Sequence, residues 1–469
     1  MNNLTPNRRD VLKGIAAGGV SLTFAGTVSG AQGERFIVAA EGRNVRRRIE
    51  RRGFTVVQEF ADGTVYVVDG PEDERDDLEE TNGVEEVARD LRFELEEPEF
   101  EEPYEEDDGT GQGNGRPRGR GQSDHTETDL YEDFQWDKQV TEVLAAHDFA
   151  TGAGTTLAIL DTGIDPEHPD LEANVDENRS RLFSSGNPID EDDNPWDNHG
   201  HGTHVAGTAA ASHEAGAIGT GVIGTAPEAT LVSAKVFWIE GFDEDDDPIL
   251  VTTTADILEA ISYAADIGAD AANLSLGTAP LEPQLNAAGI RVAYERVIQD
   301  ATRRGTVVVA SAGNSDANLQ QGGYFTVPNS TAGAVSISAT GPNDLRTFYS
   351  NYGTNEIDVG APGGGYETLE KTLETDEEVV EWPFPTNLVL STVPVDVFGG
   401  YYAWFAGTSM AAPQVTGLVG LVRELDPHST AGQVEDAIKK GAASVDGQSD
   451  ADLGAGRVNA HNTVESLDD

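Results

Sequence analysis

Three segments of the chain carry side chains that together could perform nucleophilic catalysis. In the first segment, Asp161 follows the apolar run 157–160, and Gly163 permits a turn two residues later. An aspartate at the carboxyl end of a predicted strand can hold an imidazole in one tautomer. The motif is weak by itself, since aspartate follows a strand in many α/β proteins.

The second segment, residues 199–208, surrounds His201 with small residues that let a backbone or a substrate approach the imidazole closely. We interpret His204, which begins an alanine-rich predicted helix, as a packed structural histidine. A metal site formed by His199, His201 and His204 is the alternative. That alternative is disfavoured because cysteine is absent and no two histidines lie four residues apart beside a partner acid.

The third segment places Ser409 where a predicted loop enters an apolar helix. A hydroxyl at a helix N-terminus lies where the macrodipole favours developing negative charge, which suits a nucleophile. A plain N-cap serine is the alternative for this motif alone. The joint occurrence of Asp161, His201 and Ser409, each among glycines or alanines, argues against it. Asn314, which follows the apolar run 307–310, has a side chain that can donate a hydrogen bond to an oxyanion.

The elements that must position these residues alternate between strand-like and helix-like runs from residue 129 onward. The strand-like runs are 157–160, 231–237, 271–276, 307–310 and 335–339, and the helix-like runs are 204–211, 254–267 and 287–303. Near-continuous apolar strands separated by helices predict an α/β fold with a doubly wound, mostly parallel sheet and helices on both faces. In such a sheet, the active site forms at the carboxyl ends of the strands.

A separate pattern occupies residues 34–96, where a predicted strand, helix, two strands, helix and strand follow one another. Asp62-Gly63 joins the two middle strands and is a strong hairpin signal. This order predicts a small α+β, ferredoxin-like module. The next segment, 97–128, is acidic and then rich in glycine and arginine. It predicts a linker because it lacks the apolar residues of a core.

Residues 1–31 have the order of a signal peptide, with a charged start, the mild apolar run 15–28 and small residues at 29–31. The pair Arg8-Arg9 resembles the twin-arginine export signals of bacteria and archaea. We therefore expect an extracellular protein. We expect no membrane span, because the apolar run is too short and too weakly apolar for one. A buried N-terminal helix is the alternative.

The composition is strongly acidic, with 84 Asp and Glu against 30 Lys and Arg and a formal net charge of −54. Such a field repels nucleic acids and anionic membranes, so we expect no nucleic-acid partner. The charge favours adaptation to molar salt, where screening over about 3 Å removes the self-repulsion, above ordinary solubility. Cysteine is absent, which excludes disulfides, thiol catalysis and cysteine-bound zinc.

The smaller module carries six arginines in and beside its first predicted helix. They are Arg43, Arg46, Arg47, Arg48, Arg51 and Arg52. A basic helix beside a strongly acidic domain favours electrostatic docking between the two. A solvated helix face is an equally open alternative.

Taken together, the motifs LDTGID, HGTHVAGT and GTSMAAP resemble the aspartate, histidine and serine signatures of the subtilisin-like serine proteases, the subtilases or peptidase S8 family. The resemblance covers residues 129–469 as a catalytic domain, and residues 34–96 resemble the family's inhibitory propeptide. The twin-arginine signal, the acidic composition and the lack of cysteine further resemble a halolysin-like haloarchaeal member.

The resemblance implies a secreted serine endopeptidase that hydrolyses peptide bonds through an acyl-enzyme and processes itself from a zymogen. Ser409 is then the nucleophile, His201 the general base and later acid, and Asp161 the residue that orients His201. Asn314 and the backbone N–H of Ser409 form the oxyanion hole. The chemistry requires no cofactor. The expected partners are protein or peptide substrates and the protein's own propeptide, and we expect a monomer.

The resemblance also implies where a substrate lies. One run of three residues matches the family strand that pairs with the substrate backbone, so that the substrate adds a β-strand. A second run matches the other wall of the first specificity pocket. These residues are Ser275, Leu276 and Gly277 for the strand and Ser311, Ala312 and Gly313 for the wall.

Three features depart from the family pattern. Residues 366–390 form an acidic insertion before the serine motif, which either shapes substrate access or covers surface. Asp170 matches a family calcium ligand, but residues 212–227 lack the usual asparagine, so a structural calcium ion stays an open alternative. The acidic runs 190–193 and 243–247 favour solvated loops above cation sites.

Two alternatives come from other classes of function. One is a catalytically silent scaffold on the same fold, and the other is an esterase that acts mainly on non-peptide esters. All four residues of the expected active site are present, which argues against the scaffold. They are Asp161, His201, Asn314 and Ser409. The strand-pairing run 273–277 favours peptides above simple esters.

Overall fold

The structure is a computed structural model that describes two domains and a short stretch before them. The described residues are 21–27, 29–30, 33–96, 130–185, 194–212, 221–242, 248–281, 289–321 and 325–468. The predicted linker 97–128, the arginine pair at 8–9 and the acidic runs 190–193 and 243–247 lie outside them. Within these ranges, no helix is both long and apolar enough to cross a membrane.

The smaller domain has the order strand, helix, two strands, helix and strand. Two strands precede it, and the elements are β1 (Ser21–Thr27), β2 (Ser29–Gly30), β3 (Gly33–Ala40), α1 (Val45–Arg51), β4 (Thr55–Phe60), β5 (Val65–Gly70), α2 (Arg75–Glu79), β6 (Val84–Arg89) and β7 (Leu91–Glu96). Strands β4, β5, β3 and β6 lie side by side, all antiparallel, in a ferredoxin-like arrangement. Strand β1, within the expected signal segment 1–31, pairs antiparallel with β7.

The central strand β3 shows why both faces of this sheet are buried. Side chains alternate along a strand, so Phe36 and Val38 point to one face and Ile37 to the other. Phe36 and Val38 pack with α1 in the domain's own core, whereas Ile37 belongs to an apolar cluster of the larger domain. The smaller domain therefore docks through the sheet face opposite its helices.

The arginines of α1 lie on the helical side of the sheet, away from the docking face. Arg46 pairs with Glu50 and Glu59, and Arg52 pairs with Asp77, all within the smaller domain. These side chains are largely exposed to solvent. The structure thus favours the solvated helix face above electrostatic docking through this helix.

The larger domain is built on a seven-stranded sheet. In chain order, its elements up to residue 274 are α3 (Leu130–Phe134), α4 (Trp136–Val140), α5 (Val143–Ala146), β8 (Thr156–Ile159), β9 (Arg181–Leu182), α6 (His201–Ala210), β10 (Thr230–Lys235), β11 (Trp238–Phe242), β12 (Pro248–Thr253), α7 (Thr254–Asp266) and β13 (Ala271–Leu274). The remaining elements are α8 (Ile290–Arg304), β14 (Val307–Ser311), β15 (Ala334–Thr340), β16 (Val359–Pro362), α9 (Leu369–Thr372), β17 (Val389–Thr392), α10 (Val395–Phe398), β18 (Tyr402–Phe405), α11 (Thr408–Leu425), α12 (Ala431–Gly441), α13 (Asp450–Leu453) and α14 (Ala460–Asp468).

The sheet confirms the predicted doubly wound α/β fold. Its strand order is β16-β15-β14-β13-β8-β10-β9, and every neighbouring pair is parallel. On β8, Leu157 and Ile159 face the cluster that holds α6 and α11, whereas Ala158 and Leu160 face α7 and α8. Because β10 joins one side of β8 and β13 the other, β8 marks the switch point where such folds place their sites.

Antiparallel pairing and polar contacts join the two domains. Strand β7 pairs with β12. Arg296 of α8 donates to the carbonyl oxygens of Ala40 at 2.9 Å and of Thr64 at 3.1 Å. Asp90, which is fully buried, accepts a hydrogen bond from the backbone N–H of Ala255 at 3.0 Å, in the first turn of α7. The smaller domain therefore satisfies one N–H group of a helix N-terminus that Thr253 and Asp256 also cap through a capping box.

Candidate active site

A buried hydrogen bond joins Asp161, at the carboxyl end of β8, to His201, the first residue of α6. His201 Nδ1 donates to Asp161 Oδ1 at 2.7 Å, and both side chains are fully buried. A carboxylate oxygen accepts, so the ring proton lies on Nδ1 and Nε2 keeps its lone pair. Nε2 has no hydrogen-bond partner in the part of the chain that the structure describes. It is therefore available to take a proton.

Asp197 fixes the start of α6 and was missed by the sequence analysis. Its Oδ1 accepts from Gly200 N and from Thr162 Oγ1, each at 2.9 Å, and its Oδ2 accepts from Thr203 N at 2.9 Å. One carboxylate thus satisfies N–H groups at the helix N-terminus and links them to the loop after Asp161. An acidic residue four positions before His201, where the observed helix begins, was the available signal.

The loops that carry Asp161 and His201 meet at a glycine. A side chain added at Gly202 would place its Cβ 2.1 Å from the carbonyl oxygen of Gly163. Only a residue without a side chain permits this approach. Gly202 N also donates to Thr162 Oγ1 at 2.9 Å, which fixes the distance between the two loops.

Ser409 lies in the first turn of α11, as the motif predicted, and its side chain is fully buried, whereas the motif suggested an exposed hydroxyl. Its Oγ donates to the carbonyl oxygen of Ser275 at 3.1 Å, and Ser275 Oγ donates to the carbonyl oxygen of Ser409 at 2.7 Å. Among the described residues His201 Nε2 has no hydrogen-bond partner, so no hydrogen bond joins it to Ser409 Oγ in this structure. Catalytic hydrogen bonds often form only once substrate is bound.

Asn314 offers a fixed donor beside this serine. Its Oδ1 accepts from Thr408 N and from Thr408 Oγ1, each at 2.9 Å. The amide is thereby oriented, and its buried Nδ2 has no acceptor among the described residues. A buried donor without a partner is costly, and an oxyanion would satisfy it. Thr408, which orients Asn314, was also missed by the sequence analysis.

The structure brings the two runs of expected substrate-binding residues together, because β13 and β14 are parallel neighbours. A Cβ on Gly277 would lie 3.8 Å from the carbonyl oxygen of Ser311, which is an ordinary van der Waals contact between the two runs. Gly313 adopts a positive φ of 97° after Ala312. Leu276 points into the apolar core and is fully buried, so only its backbone is offered to a substrate.

Asp170 is buried and bound by protein donors. Its Oδ2 accepts from Val222 N at 3.1 Å and from the hydroxyl of Tyr402 at 2.7 Å. Burial, and then the charge of Asp170, raises the pKa of Tyr402. Across the described ranges, no three acidic or histidine side chains gather into a metal-binding group. The described residues therefore supply no calcium cage at Asp170.

The insertion 366–390 packs on the larger domain. The hydroxyl of Tyr366 donates to the carbonyl oxygen of Trp382 at 3.1 Å, and Trp382 and Phe384 pack against the main apolar cluster. Trp136 Nε1 donates to the carbonyl oxygen of Leu388 at 2.9 Å. These contacts favour the surface-covering alternative for the insertion.

Comparison with known proteins places the chain in a family. The model of the subtilase family, peptidase S8, matches residues 152–456. Subtilisin Savinase of Lederbergia lenta is 34% identical over 69% of this chain and 96% of its own length. Thermitase of Thermoactinomyces vulgaris is 32% identical over 71% of this chain and 96% of its own length.

A solved structure shares the fold over most of the chain. It is the epidermin leader peptide processing serine protease of Staphylococcus aureus, with a TM-score of 0.68, 21% identity, and coverage of 93% of this chain and 99% of that one. Family match, relatives and fold agree, and the chain belongs to the subtilase family as a subtilisin-like serine endopeptidase.

Proposed function

We propose that the protein is a secreted, salt-adapted zymogen that hydrolyses proteins through the triad Asp161, His201 and Ser409. The observation that carries the proposal is the 2.7 Å bond from His201 Nδ1 to Asp161 Oδ1, which leaves Nε2 ready to accept a proton. Peptide and protein substrates and the smaller domain are its partners. It acts as a monomer and has no nucleic-acid partner, in line with its negative field.

The reaction proceeds in two halves, and in each half a proton passes through the imidazole of His201. Ser409 Oγ attacks the scissile carbonyl carbon while its proton passes to His201 Nε2. Asp161 stabilises the imidazolium that forms. His201 then gives the proton to the leaving amine, and the acyl-enzyme is hydrolysed by water that the same imidazole activates.

The charge that develops on the carbonyl oxygen is met by two donors. Asn314 Nδ2 supplies one, since Thr408 holds the oxygen end of its amide. The backbone N–H of Ser409 supplies the other, at the positive end of α11. Both donors are in place before the reaction, so little reorganisation is needed at the transition state.

The smaller domain acts as an inhibitory propeptide in this proposal. It docks through a sheet face, through β7 and β12, and through Asp90 on the first turn of α7. Export through the twin-arginine route, suggested by Arg8-Arg9, would deliver this two-domain precursor already folded. Cleavage within 97–128 would separate the two domains.

The serine mechanism is tested with the precursor in molar salt. We expect the wild type to process itself, hydrolyse casein and react with a fluorophosphonate probe, and the Ser409→Ala variant to do none of these. Circular dichroism verifies that the variant is folded. Normal processing of the variant, without another protease, would refute self-cleavage. A folded wild type that is neither active nor labelled would indicate the silent scaffold.

The oxyanion hole is tested by Asn314→Ala. We expect kcat to fall by about 10²–10³-fold with little change in KM, the loss known from removing one such donor in subtilisin. Ser315→Ala is the matched control, because Ser315 is an exposed neighbour on the same loop. An equal loss in both variants, or an unchanged kcat for Asn314→Ala, would contradict the assignment.

The docked interface contains two buried carboxylates, one from each domain. Asp90 faces Asp256 of α7, with Arg35, Asp69 and Tyr294 as the other ionisable groups around it. Desolvation, and then the charge of Asp256, raises the pKa of Asp90 well above its usual range. Desolvation raises the pKa of Asp256 to about 7. Docking thus favours protonated acids and weakens as the pH rises toward 7.

The lag before activity should therefore shorten between about pH 4 and pH 7, from the ordinary pKa of 3.8 to the pKa of about 7 of Asp256, as the smaller domain is released more readily. Asp90→Asn keeps an acceptor for Ala255 N–H without a charge, so its lag should stay long at every pH. Asp77→Asn, at an exposed site that pairs with Arg52, should retain the wild-type pH dependence. If the lag of Asp90→Asn depends on pH as strongly as that of the wild type, this role of Asp90 and Asp256 is ruled out. The measurement is the time course of peptide hydrolysis after processing.

Adaptation to salt predicts that the melting temperature rises from dilute buffer to molar sodium chloride. The physical reason is screening of the −54 formal charge, whose self-repulsion opposes folding. Sucrose of equal osmolality is the control, because it strengthens burial without screening charge. Equal melting temperatures at low and molar salt, or an equal rise in sucrose, would leave charge screening without support.

A further inference from the structure

An apolar cluster is exposed between β17 and β18. Its side chains are Val395, Val397, Phe398 and Tyr401, which are 36%, 49%, 41% and 45% exposed. We name these four residues the apolar tip. They account for four of the ten large apolar side chains that are this exposed in the described part of the chain. On a surface dominated by acidic residues, a contiguous apolar cluster marks a contact site.

The apolar tip is held in place by the catalytic domain. Val393 N donates to the carbonyl oxygen of Tyr401 at 2.8 Å, and His168 Nε2 contacts the same oxygen at 2.8 Å. The ring of Phe398 lies 5.9 Å from that of Phe405, which stacks on His204 at 4.3 Å. The exposed side chains therefore stand on a fixed base in contact with α6.

Phe398 also touches the backbone beside the catalytic imidazole. A Cβ on Gly200 would lie 2.2 Å from Phe398 Cε2, so the ring rests directly on the residue that precedes His201. The tip thus forms the surface next to His201 on its Gly200 side.

The direction in which a substrate crosses the site identifies what reaches this surface. The acyl half of the substrate lies along residues 275–277 and 311–313, near Ser409 and Asn314. The leaving amine must receive its proton from His201 Nε2, so the peptide that follows it passes over the other flank of His201. Gly200 and the apolar tip form the surface on that side of His201.

We propose that the apolar tip binds an apolar side chain of the substrate, two or three residues after the scissile bond. This inference rests on the proposed function of the same site. Burying such a side chain against Val397 and Phe398 removes apolar surface from water. Acidic side chains are disfavoured at the same place, since Asp396 lies between Val395 and Val397 in α10 and its charge acts on Asp165, which also interacts with Asp197.

The test uses two internally quenched peptides with the same acyl half. One carries leucine and phenylalanine at the second and third positions after the scissile bond, and the other carries serine at both. A p-nitroanilide of the same acyl half has no peptide beyond the scissile bond. We expect the processed wild type to cleave the apolar peptide with a kcat/KM about tenfold higher than the serine peptide.

The double variant Val397→Ser/Phe398→Ser should lose this preference, measured as the ratio of its kcat/KM values for the two peptides, with p-nitroanilide hydrolysis recorded as its overall activity. Val397→Ser alone should lose part of the preference, and this variant leaves the ring on Gly200 in place. Val379→Ser is the matched control, because Val379 is 64% exposed in the insertion 366–390 and should not affect the preference.

The remaining outcomes separate two failures. An unchanged preference in both tip variants, with normal p-nitroanilide hydrolysis, overturns the inference and leaves the proposed function intact. A wild type without any preference between the two peptides overturns it equally. A wild type that hydrolyses none of the three substrates refutes the proposed function, and the inference fails with it.

Discussion

The buried hydrogen bond between Asp161 and His201 is the contact on which the geometry of the candidate active site depends. It joins the end of β8 to the start of α6, and the parallel sheet must form before these ends can meet. Because both side chains are buried, water does not compete for the bond, and the low-dielectric surroundings strengthen it. The same contact selects the imidazole tautomer that can accept the proton of Ser409. Asp197 and Gly202 serve this bond by fixing the two loops that carry it.

A second buried hydrogen-bond network joins α6, which begins with His201, to α11, which carries Ser409. Lys138 donates to the carbonyl oxygen of Thr208 near the end of α6 and to Gln414 Oε1 in α11, and Gln414 Nε2 donates to Asp137. Desolvation lowers the pKa of Lys138 to about 8, while the charge of Asp137 opposes that effect. A buried cation of this kind is tolerated only with acceptors around it. The segment before β8 thus fixes the relative position of α6 and α11.

The sheet of the smaller domain contributes side chains to two apolar cores, because alternate residues of its strands point to opposite faces. Phe36 and Ile37 are neighbours in sequence, yet one packs under α1 and the other against the larger domain. Both faces of this sheet are buried while the smaller domain is docked on the larger domain. Separation of the two domains would expose one of these faces to water. Polar contacts such as Arg296 to Ala40 and Asp90 to Ala255 give the apolar face its register. The interface therefore combines an apolar driving force with a small number of polar contacts that respond to pH.

The sequence by itself was sufficient to predict the triad, because each proposed member has a local pattern: a strand end for Asp161, glycine neighbours for His201 and a helix start for Ser409. It also predicted the parallel sheet, since apolar periodicity is a local property. Only the tertiary structure decided that Thr408 orients Asn314, and that the arginines of α1 face away from the larger domain. Those outcomes depend on which surfaces meet across long sequence separations. The residue pattern of a single helix or strand shows that one of its faces is apolar or charged. It does not show which other part of the protein covers that face.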